Sequence, residues 1–170
     1  ELLFLLEKGY ENSIAIKTIN FQKDEIQSFN FEYATQAIAE YSMPLSYLYE
    51  PNVAILKSGG FHQIANQLDL KKLHQHSHLY TSEELIDFPG RSFKIETVIS
   101  YDKKKLNKLL PTKKANITTR NFPKTVAQIR KETKIKDGGD TYLFFTKLKD
   151  NNNCVVVCKK NNRLYTRCSG

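Results

Sequence analysis

The 170-residue sequence predicts a mixed α/β fold of the α+β kind, arranged as two small sandwich-like units. Three observations predict it. Several short runs alternate apolar and polar residues with the period of two expected of half-buried strands. Between them lie stretches with helical spacing, opened by Asn, Asp or Pro and closed by Gly or Pro. The charge is also divided: residues 1–90 hold 6 Lys and Arg against 12 Asp and Glu, net −6, whereas residues 91–170 hold 20 against 6, net +14.

Taken in order, ELLFLLEK (1–8) has helix formers and an apolar face, and Gly9 is a natural stop. SIAIKTI (13–19) and IQSFNFEY (26–33) alternate as strands, with Phe29 and Phe31 sharing one face. Pro44 and Pro51 bracket a short strand, LSYLYE. Asn52 then caps a helix over about 53–68, with Val53, Leu56, Phe61, Ile64, Ala65 and Leu68 inward and a Gly59-Gly60 pair able to kink it. HSHLYTS reads as a strand leading to Ser82, a cap for a helical turn at Glu83–Ile86.

From Arg91 the order becomes β-α-β-α-β-β, an open sheet with at least one parallel pair. RSFKIETVIS is a strand with Phe93, Ile95 and Thr97 on one face. Asp102 caps the helix KKKLNKLL, which Pro111 ends. ANITTR is the next strand, and Pro123 stands in the first turn of the helix TVAQIRKETK. DGGD turns into the strand TYLFFTKL, and NNN turns into CVVVCKK, its hairpin partner.

A composition of 40% hydrophobic and 26% charged residues is that of a globular protein. The longest apolar run, LLFLL, is too short to cross a bilayer, so no membrane is expected. The start at Glu1, without Met or a leader pattern, reads as a piece of a longer polypeptide. Three cysteines form no disulfide framework, and Cys154 and Cys158 lie in an apolar run, which points to a reducing cytoplasm.

Chemistry is sparsely supported. His74, His76 and His78 alternate, and on one strand residues four apart stand roughly 13 Å apart, too far to hold one ion together. No metal site is assigned. There is no nucleophile turn, no pair of carboxylates placed for acid-base work, and no glycine loop with phosphate-binding spacing. No catalytic residue and no cofactor are expected in this segment. The basic half is the informative part: Lys103, Lys104, Lys105, Lys113, Lys114, Arg120, Asn121, Lys124, Arg130 and Lys131 fit contacts to phosphate and sugar. Phe122 either stacks on an unpaired base or staples the following helix.

The stretches YLYEPN (47–52), HLYTS (78–82), DFPGRSF (87–93), ANITTRNFP (115–123) and KIKDGGDTYLF (134–144) resemble the C-terminal region of a family of bacterial class I S-adenosylmethionine-dependent methyltransferases. In that family a catalytic domain is followed by a ferredoxin-like segment and a THUMP-like domain. The resemblance spans about residues 1–160. It implies that 1–46 end the ferredoxin-like segment, that 47–160 form the THUMP-like domain, and that 161–170 are a loose tail. It further implies RNA, of the tRNA kind, as partner, an upstream methyltransferase domain in the same chain, and S-adenosylmethionine as the cofactor of the whole protein. A rival reading is a docking module whose basic face packs on an acidic partner or on the methyltransferase domain; it expects the cations to be paired with carboxylates.

Overall fold

A computed structural model describes residues 2–23, 25–33 and 36–161. The chain begins with a separate two-stranded sheet, β1 (Ala15–Phe21) and β2 (Ile26–Glu32), paired antiparallel from Ala15↔Glu32 to Phe21↔Ile26. The period of two puts Ile16 and Thr18 with Phe29 and Phe31 on the inner face, and Ile19, Phe21 and Ile26 on the outer one. Then come β3 (Tyr47–Pro51), α1 (Val53–Ser58), α2 (Phe61–Gln67), β4 (Lys71–Lys72), β5 (Tyr80–Ser82) and β6 (Gly90–Ser100). The remainder is α3 (Lys103–Leu109), β7 (Asn116–Arg120), α4 (Val126–Thr133), β8 (Thr141–Lys147) and β9 (Asn153–Lys160).

The order β-α-β-α-β-β is present over β6 to β9, and β7 and β8 are its parallel pair. The two expected units do not share a sheet: among the described residues, 1–46 supply only the strands of the β1–β2 hairpin, whereas within 47–160 seven strands run in the order β4-β5-β3-β6-β9-β8-β7, with β3 pairing β6 through Leu48↔Phe93. On β8 and β9 one face (Leu143, Phe145, Val155, Val157) is covered by α3 and α4 through Leu106 and Ile129. The other face (Phe144, Cys154, Val156, Cys158) meets Leu48, Leu73, Leu79 and Phe93. A third cluster joins Phe29 and Phe31 of the hairpin to Ile55, Ile64 and Tyr49.

Several local expectations are corrected. Residues 2–8 form no helix, and Leu2 to Leu6 are 76–96% exposed; so short a stretch nucleates a helix poorly without a surface to pack on. The helix over 53–68 is two helices. Asn52 caps the first by accepting from Ile55 N–H at 3.1 Å, Gly59 ends it at φ 77°, and Gly60 leaves room for Phe31, whose ring a Cβ would meet at 2.7 Å. Glu83–Ile86 is not helical, because the Ser82 hydroxyl bonds Glu84 O and Tyr49 OH instead of capping. The histidines lie in a turn, and only Tyr80–Ser82 is strand. A bulge between Ile95 and Thr97 makes Val98, not Thr97, continue the face of Phe93 and Ile95. Thr125, two residues after Pro123, caps α4 in a reciprocal pair with Gln128. The 161–170 tail and Cys168 lie outside the described residues, apart from Asn161. No helix among the described residues is long and apolar enough to cross a membrane.

Candidate functional site

The basic half folds so that its ten candidate residues fall into two sets. Three cations of the first set have carboxylate partners within the protein. Arg120 Nη2 donates to Glu50 Oε1 at 2.6 Å, and Arg91 Nε donates to the other oxygen at 2.8 Å. The Glu50 side chain is only 4% exposed, so two half-exposed guanidiniums neutralise one buried carboxylate. Lys124 Nζ reaches both oxygens of Glu132 at 2.8 and 2.7 Å, and Tyr101 OH donates to the same carboxylate at 2.6 Å. These hydrogen bonds hold the Glu132 carboxyl below its ordinary range, Lys124 contributing most. Arg130 donates to Ile135 O at 3.1 Å and pairs with Asp137.

Asn121, the fourth of this set, is fixed through a histidine. The backbone N–H of His76 donates to His74 Nδ1 at 3.1 Å, so that nitrogen carries no proton. His74 Nε2–H therefore donates to Asn151 Oδ1 at 3.0 Å, and the amide of Asn121 donates to Nδ1 at 3.0 Å. One buried imidazole thus ties together the 74–78 turn, the β7–α4 loop and the β8–β9 turn. Among the described residues no three His, Cys, Asp or Glu side chains come together as a metal site requires. His78 stacks on Phe61 at 3.7 Å, and His76 is exposed.

The other set is Lys103, Lys104, Lys105, Lys113, Lys114 and Lys131, all exposed and without an ion pair among the described residues. Asp102 pins the first three by accepting from the N–H groups of Lys104 and Lys105 at 2.6 and 3.1 Å, bonds that keep its carboxyl low. The set is spread out. β6, β8 and β7 run in the same direction, so Lys103–Lys105 follow the finishing end of β6 whereas Lys113 and Lys114 precede the starting end of β7.

A cleft of about 400 Å³ opens at the finishing ends of β7 and β8, lined by Thr119, Asn121, Phe122, Pro123, Lys147 and Asn153. Phe122 neither lies free nor simply staples α4: its ring meets Tyr101 at 5.5 Å and Phe145 at 5.4 Å, both edge-on. Sequence reasoning missed Glu50, Arg91, Lys147 and Asn153, and weighed His74 only as a metal ligand. Of the four missed, only Glu50 carried a signal, as a carboxylate on the same strand face as the core residue Leu48.

Residues 47–89 match the profile of a ferredoxin-like domain, and residues 90–160 match that of a THUMP domain-like family. The chain carries a ferredoxin-like domain joined to a THUMP-like domain. The ferredoxin-like match covers a stretch that sequence reasoning gave to the THUMP-like part, and the THUMP-like match starts at Gly90 with β6. No curated protein matches the chain significantly. A solved structure of a "putative methyltransferase" from Porphyromonas gingivalis W83 is similar at 34% identity and a TM-score of 0.78, over 87% of this chain and 38% of the other. This chain therefore spans little more than a third of that protein's length. All ten candidates and every residue lining the cleft lie within the THUMP-like match.

Proposed function

We propose that this region binds RNA and presents it to a methyltransferase domain of the same polypeptide, without catalysing a step itself. The observation that carries the reading is the set of six exposed lysines of the THUMP-like domain that have no ion pair among the described residues. Surface lysines with no carboxylate partner attract phosphates and release counterions when they bind them. The likeness to a "putative methyltransferase" supports S-adenosylmethionine as the cofactor of the whole protein, and the THUMP-like match supports RNA, in this proposal tRNA, as what it modifies. Buried free Cys154 and Cys158 support work in the reducing cytoplasm. Arg120, Asn121, Lys124 and Arg130 shape the surface in this proposal, because their side chains already have partners.

The test is a titration of the chain with bulk tRNA and with duplex DNA at two salt concentrations. Preference for tRNA that survives the higher salt supports delivery of RNA. Weak binding lost equally for both would leave a generic basic surface and sink the reading.

A docking role has its own observation, away from the basic face. Ile19, Phe21 and Ile26 are 44–76% exposed on the outer face of the β1–β2 hairpin. That apolar face suits contact with another domain better than it suits RNA.

A further inference from the structure

We infer that the cleft beyond β7 and β8 is a seat for one unpaired nucleotide of an RNA strand; this rests on the RNA-binding reading above and gives it a location. The placement follows from topology. In open sheets, ligands gather beyond the carboxyl ends of parallel strands, where strand-to-helix loops leave a crevice, and β7–β8 is the parallel pair here. Thr119, Lys147 and Asn153 come from three adjacent strands with Thr119↔Phe145 and Lys147↔Asn153 in register, so one face of the sheet presents all three side by side.

The lining is matched to a nucleotide. Its volume of about 400 Å³ lies within the range of roughly 300–1,000 Å³ usual for small-ligand sites. Phe122 and Pro123 offer an apolar wall, and Tyr101 and Phe145 hold Phe122 edge-on so that this wall is rigid. A flat base lies against such a wall whatever its identity. The side chains of Thr119, Lys147 and Asn153 have no hydrogen-bond or ionic partner among the described residues, although each is a capable donor. Asn121 adds an acceptor whose orientation is set: its amide nitrogen is taken by His74, which leaves Oδ1 for a ligand. No carboxylate lines the cleft, and Lys147 supplies one cation for one phosphate. A base inside a duplex keeps its faces covered by its neighbours, so the seat selects single strands, loops or ends.

The experiment measures anisotropy of labelled single-stranded RNA hexamers and of the same sequences as duplex, with wild-type chain and with Lys147→Met, Asn153→Ala and Thr119→Val. Lys147 and Asn153 stand at exposed or half-exposed strand ends, where substitution leaves the core untouched. Each variant should weaken single-strand binding about fivefold or more, with duplex binding changed less than about twofold. A nucleoside monophosphate at millimolar concentration should shift the amide resonances of 119–122, 147 and 153, which separates a nucleotide seat from backbone attraction alone. Unchanged single-strand affinity in all three variants would overturn the seat, and if Lys113→Glu/Lys114→Glu still weakened binding, the broader RNA reading would stand without it. Equal losses for strand and duplex would also overturn it, since Lys147 would then be a generic phosphate contact. Wild-type chain that binds neither form would remove both.

Discussion

Arg120 Nη2 sits 2.6 Å from Glu50 Oε1, although in sheet order β8, β9 and β6 all lie between their strands. Four strand spacings in a flat sheet amount to roughly 19 Å, beyond the combined reach of the two side chains. The sheet is therefore rolled, and the ion pair ties its edge strand β7 to β3 across the concave face. Arg91 completes the tie from β6.

Removing the carboxylate should loosen that closure. Glu50→Ala is expected to cost about 1–3 kcal/mol in urea unfolding, because it leaves Arg91 and Arg120 facing each other with their common partner gone. Stability equal to wild type would mean that the pair merely decorates a sheet already closed by its core.

Gly90 allows no side chain. A Cβ there would collide with Glu50 O and lie 3.0 Å from Asn52 N, both backbone atoms that cannot swing aside. Gly90→Ala should cost about 3 kcal/mol or more and should be felt at β3, visible as lost amide-exchange protection at Tyr49 and Glu50.

Two groups beside the 74–78 turn should shape stability against pH. Burial pulls the Lys72 amine from 10.5 down to about 8; His78 is pulled from 6.5 to about 4, first by burial and then by the charges of Lys72, His76, Arg120 and His62. Both bind protons less tightly when folded, so the cost of charging them is fully present below the folded value and disappears as pH rises to the unfolded one. Stability should climb from pH 4 to 6.5, and again from pH 8 to 10.5. Urea midpoints of His78→Gln should lack the first rise and those of Lys72→Met the second; variants that keep both rises would assign them elsewhere.

The lysines and the arginine should separate by the property each one alters. Lys113→Glu/Lys114→Glu is expected to weaken tRNA binding about tenfold or more and to reduce its dependence on salt by about one contact per lost charge, with little change in unfolding. Arg120→Ala should do the reverse, lowering stability while leaving the salt slope close to wild type. An equal loss of salt slope for both would return Arg120 to the RNA-facing surface.

Local sequence was a good guide wherever one residue decides one turn. Asn52 and Asp102 cap the helices they were expected to cap, Gly59-Gly60 interrupts the helix it was expected to bend, and alternation located β1, β2 and β7 to β9 within a few residues. It misjudged the N-terminal stretch from Leu2 to Lys8, where an apolar face alone gives no helix. The site was less legible because its partners are remote. In NITTR an arginine reads the same whether it faces phosphate or a carboxylate 70 residues earlier. Thr119, Lys147 and Asn153 become neighbours only through strand register, which no spacing along the chain encodes.

The seam between the two matched domains has a consequence for how the chain can be handled. It falls at Gly90, the first residue of a strand whose ladder with β3 lies inside the sheet. Cutting there would strip a partner from both strands and leave two long, unsatisfied edges of the kind that recruit other chains. The two matched stretches share one hydrogen-bonded ladder, so expressing either without the other is expected to expose an edge that the intact chain keeps paired.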